Sequence, residues 1–374
     1  MKAITNGTIV LEDNIIENGT VVFDEKIIGI NTDTKNCDEI IDACGGYILP
    51  GFVDIHIHGY KSSDVSDADE SSIKEMSRLL PENGVTSWCP TTMTVSKDNI
   101  QKALDIIESI KSDDTIGAKI LGANVEGPFI NPSKKGAQSE KYILSPDAEF
   151  VKSNNDKISL ITIAPEMNGG LDFIKEISEN TDIVLSLGHT DADFETAQAA
   201  IKNGANHITH LFNAMPPFNH RAPGVVGAAI KNENVYCELI ADTFHIHPSI
   251  FEIIYKLKGD KLVLITDCMR AGGMSDGEYT LGGQKVTVSG IECRLEDGTI
   301  AGSILTMNMA VKNFAEHTGI PLWKAVNAAS LSPAKSLNKD SEIGSIKPGK
   351  YADIVISDKC FNIQKTFVNG RQVY

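Results

Sequence analysis

The chain has 374 residues, 41% of them hydrophobic and 22% charged, which is ordinary for an enzyme with an extensive core. Its 50 acidic and 34 basic residues give a net charge of −16, which argues against nucleic acid or an anionic membrane as a partner. Seven scattered cysteines without a C-x-x-C pair, no secretory leader and no membrane-spanning apolar run predict a cytoplasmic protein with free thiols.

Both ends of the chain have the pattern of short strands separated by turns. Asn-Gly dipeptides begin at Asn6, Asn18 and Asn369, each near β-branched or apolar residues. Asn-Gly between such runs is the strongest local signal for a β-hairpin. We therefore expect residues 1–49 and 340–374 to form one small β-sandwich domain.

Residues 50–339 alternate between strand-like and helix-like segments, a pattern typical of a parallel sheet. The apolar runs begin at Gly51, Val85, Ala118, Ile158, Ile183, His207, Val235 and Lys261. Eight such runs predict a closed (β/α)8 barrel that carries its site at the carboxyl ends of the strands. In the segment after Ser96, apolar residues follow helical spacing behind a capping serine. Residues 274–300 read as extra β-structure after the eighth strand.

Polar residues recur at the carboxyl ends of these strands. The six positions are His56, His58, Glu126, His189, His210 and Asp267. His56 and His58 are two apart and share one face of a strand, so both can bind one ion. Imidazole and carboxylate ligands suit zinc or ferrous iron. The alternatives are satisfied core histidines and, for Asp267, a strand-end cap.

Several segments together resemble one known family. They are PGFVDIHIHG, NVEGPF with KKGAQ, LGHT, THLFNAMPPFNHRAPGVVG, ADTFHIHP, LITDCMRAGG, AGSILTM, SPAKSL and GSIKPGKYADIV. In this order they are similar to the N-acetylglucosamine-6-phosphate deacetylases of the amidohydrolase superfamily, over nearly the whole chain. The resemblance implies hydrolysis of the acetamide of N-acetylglucosamine 6-phosphate to glucosamine 6-phosphate and acetate.

The resemblance also implies roles for the strand-end residues. Glu126, His189 and His210 match the family's core metal ligands, and His56 with His58 matches a second metal position. One or two divalent ions are therefore expected, with the retained histidine pair favouring two and Glu126 as the bridge.

An amide is a poor electrophile, so the site must supply hydroxide and polarise the carbonyl, which a divalent ion does. Asp267 would take the proton of the water and return it to the leaving amine. His245 matches a substrate-contacting histidine, which would hydrogen-bond the sugar or the developing oxyanion. Met307 would face the acetyl group or the ring. Gln138 stands where many relatives carry histidine, so we expect its contact with a sugar hydroxyl to be altered in strength, although an amide still donates and accepts.

For the phosphate, the resemblance implies the backbone N–H groups of Asn213 and Ala214 and the side chain of Arg221, whose fork matches phosphate. His220 would assist, the alternative being a solvated loop histidine. The connection at 215–227 is rich in apolar residues and proline, so we expect a homodimer in which His220 and Arg221 reach the neighbouring site.

Two other functions stay open at this point. One is a different amidohydrolase, such as a dihydroorotase-like cyclic amidase or a deaminase. Those usually need a lysine after strand four or a different set of histidines, where this chain has Ala-Pro-Glu at 164–166 and Glu126. The other is a non-catalytic protein that binds metal or a sugar phosphate. Simple binding needs no proton shuttle, so Asp267 argues against it.

Overall fold

The structure is a computed structural model that describes residues 1–113 and 117–374. The strands of this described chain are β1 (Lys2–Val10), β2 (Ile15–Phe23), β3 (Ile27–Ile30), β4 (Glu39–Asp42), β5 (Tyr47–Pro50), β6 (Phe52–Ile57), β7 (Gly59–Tyr60), β8 (Ser63–Asp64), β9 (Val85–Thr92), β10 (Lys119–Ile120), β11 (Ala123–Glu126), β12 (Ile158–Ile163), β13 (Val184–Leu187), β14 (His207–Ile208), β15 (Tyr236–Ile240), β16 (Leu262–Ile265), β17 (Gly277–Leu281), β18 (Gln284–Ser289), β19 (Glu292–Leu295), β20 (Ile354–Ser357), β21 (Ile363–Val368) and β22 (Arg371–Gln372). The helices are α1 (Glu70–Leu79), α2 (Lys97–Ile110), α3 (Ala148–Lys152), α4 (Gly170–Asn180), α5 (Phe194–Lys202), α6 (Gly224–Lys231), α7 (Ser249–Lys258), α8 (Met307–Thr318), α9 (Leu322–Ala329) and α10 (Leu331–Ser336).

A parallel barrel forms the larger part of the molecule and confirms the predicted (β/α)8 fold. Its strands follow the order β6, β9, β11, β12, β13, β14, β15 and β16, and every hydrogen-bonded neighbour pair is parallel. The third predicted strand is split in two, because β10 and β11 both pair with β9. Within the described chain a helix follows each strand, from α1 after β6 to α8 after β16. The strands are buried on both faces, as expected for a sheet wrapped in helices.

The barrel closes where its first strand meets the segment after its last. The backbone N–H of Asp267 donates to His56 O at 2.9 Å, and that of His58 donates to Cys268 O at 2.9 Å. Beneath them, Thr266 Oγ1 donates to the buried Asp54 carboxylate at 2.6 Å. The closing hydrogen bonds therefore lie among predicted site residues.

The helix predicted after Ser96 is α2. The Ser96 hydroxyl accepts from Asn99 N at 3.3 Å, so it caps the first turn as expected. Ile100, Leu104 and Ile107 are buried on one face, which packs into the barrel core. The helical spacing read from the sequence is confirmed.

Strands from both chain ends form one mixed sheet, in the order β22, β21, β20, β5, β1, β2, β3 with β4 beside β1. Its apolar core is separate from that of the barrel. This confirms the small β-module built from both ends, and the boundaries at 1–49, 50–339 and 340–374 stay a prediction.

The Asn-Gly signals had mixed outcomes. Asn369 begins the turn between β21 and β22, as predicted. The hairpin prediction is wrong at Asn6 and Asn18, which lie inside β1 and β2 beside the paired Gly7 and Gly19, where the register shifts. Asn6 and Asn18 have φ of 56° and 51°. Asparagine and glycine tolerate a left-handed backbone in a bulge as in a turn, so the dipeptide alone does not separate the two.

The extra β-structure predicted for residues 274–300 is present. β17, β18 and β19 form an antiparallel sheet, and its buried face packs Leu281 and Val286 against Met93 and Met269. This insertion sits beside the carboxyl ends of the barrel strands.

All seven cysteines lie among the described residues and are free, as predicted. Four of them are buried, and burial raises the pKa of both Cys237 and Cys293 to about 12. None of the described helices combines the length with the apolar character that crossing a bilayer requires.

Candidate active site

The strand-end residues predicted from the sequence meet at the mouth of the barrel. His56 is in β6 and Glu126 ends β11, while the others follow their strands by one or two residues. All are buried: His56, His58, Glu126, His189, His210 and Asp267. Parallel strands end at the same rim, which is why positions so far apart in sequence converge.

Glu126 joins two groups of metal-binding side chains. Its Oε1 lies 3.0 Å from Nε2 of both His189 and His210, while its Oε2 lies 3.2 Å from His58 Nε2. His56 Nε2 is 3.3 Å from Glu126 Oε1. Within each group of three, the potential ligand atoms all fall within 4.8 Å of one another. The carboxylate is therefore shared by both groups.

Contacts with residues outside the two ligand groups orient the histidine rings. Three of them bind a partner through Nδ1: His56 binds Glu238 Oε2 at 2.9 Å, His58 binds Thr91 O at 3.2 Å, and His189 binds Lys134 O at 2.9 Å. A ring that donates its Nδ1–H to an oxygen presents a lone pair at Nε2. This is the arrangement usual for metal-binding histidines, so the donor set fits a divalent cation.

The electrostatics of the centre also call for a cation. Burial opposes protonation of His58, but Asp267 and Glu126 outweigh it and raise the pKa of His58 to about 9. Burial likewise opposes protonation of His56, yet the charges of Glu238 and Glu126 raise its pKa well above the ordinary value. In the protein without metal, protons supply the positive charge that these carboxylates require. A bound metal ion replaces those protons.

The backbone at the rim is unusual as well. His189, His210 and Asp267 have φ of 47°, 27° and 49°, in the left-handed region that non-glycine residues rarely adopt. Such positions cost about 1–3 kcal/mol each and persist where the surrounding structure holds them. The strain falls on residues that turn their side chains towards Glu126 and His58.

A cavity of about 300 Å³ opens above the centre. It is lined by His58, Met93, Glu126, Gly136, Ala137, Gln138, His189, His210, Phe212, Asn213, Ala214, His245, Asp267, Leu281, Thr299, Ile300 and Gly302. The predicted substrate contacts Gln138, Asn213, Ala214 and His245 thus share one space with the metal ligands. The insertion also contributes to the wall through Leu281, a contribution that the sequence analysis did not assign.

His245 is held by a carboxylate that sequence reasoning missed. Its Nδ1 lies 2.6 Å from Asp242 Oδ2, and Asp242 Oδ1 accepts from the backbone of Phe244 and His245 at 2.9 and 2.8 Å. Burial opposes protonation of His245, but Asp242 outweighs it and raises the pKa of the ring. The signal was available, since Asp242 stands three residues before the histidine.

Gln138 contacts a metal ligand directly. Its amide nitrogen donates to Glu126 Oε2, and its oxygen accepts from Thr94 N at 2.6 Å. The side chain is buried, so its orientation is fixed. Its contact with a sugar hydroxyl stays a prediction.

Three predicted residues lie apart from this cavity. Met307 is fully buried at the first position of α8, where it lines a small separate cavity with Asp54 and Thr266. His220 and Arg221 are exposed neighbours whose side chains contact each other at 2.9 Å, and Arg221 lines a second cavity together with residues 191–195. Within the described residues of a single chain, Met307, His220 and Arg221 are therefore not brought to the metal centre, whereas the other two predicted phosphate contacts, Asn213 and Ala214, line its cavity.

The lysine expected of a cyclic amidase is replaced here by a structural carboxylate. Glu166 follows β12 and accepts from Thr190 Oγ1 at 2.5 Å, from Asn131 Nδ2 at 2.8 Å and from Asp191 N at 2.6 Å. It ties together the loops around His189, and Glu126 is the carboxylate at the metal centre.

Comparison with known proteins identifies the family. The model of the amidohydrolase family matches residues 47–373. The chain belongs to the amidohydrolase family. Amidohydrolases are metal-dependent hydrolases, so the groups around Glu126 form a divalent-metal site.

Individual amidohydrolases are similar over most of the chain. The N-acetylglucosamine-6-phosphate deacetylase of Bacillus subtilis is 41% identical over 340 residues, 89% of this chain and 86% of that protein. The N-acetylgalactosamine-6-phosphate deacetylase of Escherichia coli O157:H7 is 34% identical over 328 residues, 87% of each chain. The crystal structure of the N-acetylglucosamine-6-phosphate deacetylase of Pasteurella multocida superposes with a TM-score of 0.93 at 32% identity, covering 99% of both chains. The resemblance read from the sequence is confirmed.

Proposed function

We propose that this protein hydrolyses the acetamide of N-acetylglucosamine 6-phosphate, giving glucosamine 6-phosphate and acetate. The observation that carries the proposal is the position of Asp267 in the cavity, with its Oδ1 3.2 Å from the metal-ligand atom His58 Nε2. A carboxylate beside a divalent-metal site is what amide hydrolysis requires. The named relatives supply the substrate.

A divalent ion held by Glu126 and the histidines would acidify a water and polarise the amide carbonyl. Burial would raise the pKa of Asp267, but its hydrogen bond to His58 and the nearby histidine charges lower it. In the metal-bound protein the cation would take the place of those histidine charges, so the carboxylate stays ionised and accepts the proton of the attacking water. It then donates that proton to the amine nitrogen as the carbon–nitrogen bond breaks.

His245 stabilises charge on the other side of the reacting group. Asp242 raises the pKa of the ring, which favours the protonated form that donates from Nε2 to the carbonyl oxygen or to a sugar hydroxyl. Gln138 holds Glu126 in place through its amide. The insertion residues Leu281 and Ile300 cover the cavity with apolar surface, which limits bulk water around the amide.

Zinc or ferrous iron is the metal we propose, and two ions are favoured because two ligand groups share Glu126. The test is metal analysis of the double variant His56→Ala/His58→Ala. It should retain about one equivalent, since the other group is intact. A double variant with the wild-type metal content would make the histidine pair structural.

We also propose a homodimer in which Arg221 and His220 of one subunit bind the phosphate in the other subunit's cavity. Both residues are exposed and outside the cavity of their own chain, and the same loop presents Phe218 with 55% of its surface exposed. A guanidinium fork suits phosphate, and two-fold dimers are the commonest closed assembly.

Mixed dimers test this directly. Arg221→Ala and Asp267→Asn subunits, allowed to exchange, should regain about a quarter of wild-type activity, because half of randomly paired two-fold dimers contain one intact composite site. A phosphate site built within one chain predicts no regain. A monomer with full activity would also refute the proposal.

We propose a cytoplasmic location for this enzyme. Seven free cysteines suit a compartment that keeps thiols reduced. A phosphorylated sugar substrate is also one that cells hold inside the membrane.

The deciding assay is acetate release from N-acetylglucosamine 6-phosphate, with metal analysis of the same sample. N-Acetylgalactosamine 6-phosphate should be assayed in parallel, because one similar protein bears that name and the two sugars differ only at C4. The ratio of the two kcat/KM values assigns the substrate. Binding of either sugar without acetate release, whichever divalent ion is added, would favour the non-catalytic binding protein.

A further inference from the structure

One buried carboxylate contacts both halves of the metal centre without being a ligand. Glu238 is fully buried in β15. Its Oε2 lies 2.9 Å from His56 Nδ1 and accepts from the backbone N–H of His210 at 3.0 Å. Its Oε1 lies 3.4 Å from Nε2 of the buried His207. A single oxygen thus connects the His56 and His58 group with the His189 and His210 group.

We propose that Glu238 is a positioning residue that sets the geometry of both ligand groups, acting through the His56 ring and the His210 backbone. The proposal rests on the proposed function only in treating the centre as a metal site. It does not depend on the substrate or on the reaction.

The action on His56 is to fix its tautomer. Metal binding leaves His56 as a neutral imidazole with one proton, and a carboxylate at Nδ1 keeps that proton there. The Nε2 lone pair is then directed towards the centre, 3.3 Å from Glu126 Oε1. The negative charge of Glu238 also makes His56 a stronger electron donor to a metal.

The action on His210 is to hold a strained turn. His210 has a φ of 27°, which a non-glycine residue adopts only under constraint. Glu238 supplies two constraints, since its side chain accepts from His210 N and its carbonyl oxygen accepts from Leu211 N at 2.9 Å. With the turn held, His210 Nε2 reaches Glu126 Oε1 at 3.0 Å.

Packing alone does not account for a carboxylate at this position. A charge buried in a strand is costly unless it is paired, whereas an apolar side chain fills such a space without that cost. Its neighbours Cys237 and Leu239 are equally buried and carry no charge. Both hydrogen bonds of the Glu238 carboxylate go to the metal centre, while its Oε1 lies 3.4 Å from His207 Nε2, so the centre is where its effect should be measured.

The test is zinc binding by the metal-free full-length protein, measured by competition with a chromophoric chelator. Glu238→Gln keeps the shape and an acceptor but removes the charge, and we expect zinc affinity to fall about 10- to 100-fold. Asp353→Asn is the matched control, because Asp353 is a buried carboxylate paired with Lys119 at 2.7 Å, far from the ligands in the chain. The control should lower the unfolding midpoint and keep wild-type zinc affinity. Wild-type affinity in Glu238→Gln would overturn the proposal.

A second comparison separates the effect of Glu238 on His56 from its effect on His210. In a His56→Ala background, Glu238→Gln should cause no further loss of zinc affinity, since the amide oxygen still accepts from His210 N. Glu238→Ala in that background should cause a further loss, because His210 N then has no acceptor. A Glu238→Gln effect of equal size with and without His56 would overturn the role of His56.

If Glu238→Gln yields no folded protein, Glu238→Asp carries the same test, because it withdraws the oxygens by one methylene. Wild-type zinc affinity in Glu238→Asp would count equally against the proposal. Zinc binding is measured without sugar, so a failed deacetylase assay would refute the proposed function and leave this inference standing.

Discussion

The barrel mouth and the core of the terminal sheet are both buried, but their contents differ. The mouth gathers histidines and carboxylates around Glu126, on a backbone that turns left-handed at His189 and Asp267. The core of the terminal sheet is built around a cluster of apolar side chains, among them Phe23 and Phe367, whose rings meet edge to face at 5.4 Å. Burial of charge costs free energy, whereas burial of apolar surface supplies it.

The comparison indicates that the two regions contribute differently to turnover and to folding stability. Substitutions at the mouth should act mainly on turnover, because they remove groups that the metal centre and the reaction use and remove little packed apolar surface. Substitutions in the terminal core should have the reverse effect, because they remove packed surface and leave the rim unchanged.

The largest effect on activity is expected from Glu126→Ala. Glu126 is the carboxylate shared by both ligand groups, so its loss should release the metal and lower kcat by more than the ~10⁴-fold that a proton shuttle contributes. Metal analysis and acetate release measure the two consequences. Glu149→Ala, at an exposed carboxylate in α3, is the control and should keep both properties. A metal-replete, active Glu126→Ala would contradict the assignment.

Asp267→Asn separates the metal from the chemistry. The amide keeps the shape of the side chain but cannot accept a proton, so kcat should fall about 10²- to 10⁴-fold while the metal content is retained. Stopped assays on metal-replete protein measure the fall. Turnover close to wild type would remove Asp267 from the mechanism.

Phe367→Ala tests the contribution of the terminal core to stability. Truncating this fully buried ring should lower the free energy of unfolding by about 3–5 kcal/mol, while kcat of the folded protein is unchanged. Ile15→Ala in the same sheet, at a residue 43% exposed, should change stability by less than about 0.5 kcal/mol. Urea unfolding with parallel activity assays tests both. A large drop in kcat of folded Phe367→Ala would show that the two regions are coupled.

Among the variants expected to change activity, the smallest effect is expected for substitutions of the exposed Arg221. A charge-assisted contact contributes roughly 1.5–3 kcal/mol, so Arg221→Ala should lower kcat/KM for the 6-phosphate about 10- to 150-fold at 1.4 kcal/mol per decade. Unphosphorylated N-acetylglucosamine should be scarcely affected. Arg221→Lys should recover part of the loss, since it keeps the charge without the fork. Equal losses for both sugars would mean that Arg221 supports its loop and does not bind phosphate.

The same contrast explains what could be predicted from the sequence. His56, Glu126 and Asp267 were recognisable because parallel strands end at one rim, so strand order alone brings them together. The paired strands of the terminal module were recognisable from turn signals and alternation, although Asn6 and Asn18 form bulges instead of turns.

Contacts between distant side chains were not predictable in this way. Glu238 lies 182 residues from its partner His56, and a single carboxylate in an apolar strand gives no sign of which group it meets. Family resemblance assigns Arg221 and Met307 to the substrate, yet neither lines the cavity of its own chain. Pattern and resemblance thus locate the rim, and three-dimensional packing decides which side chains reach it.

The closing hydrogen bonds of the barrel offer a direct reporter on the site. The Asp267 amide donates to the carbonyl of His56, so the first strand is joined to the segment after the last strand between a potential metal ligand and the proposed proton shuttle. Deuterium can replace the Asp267 amide proton only when this junction separates. Exchange at that one amide, followed with and without metal, would therefore report the rate at which the barrel rim opens beside the proposed metal centre.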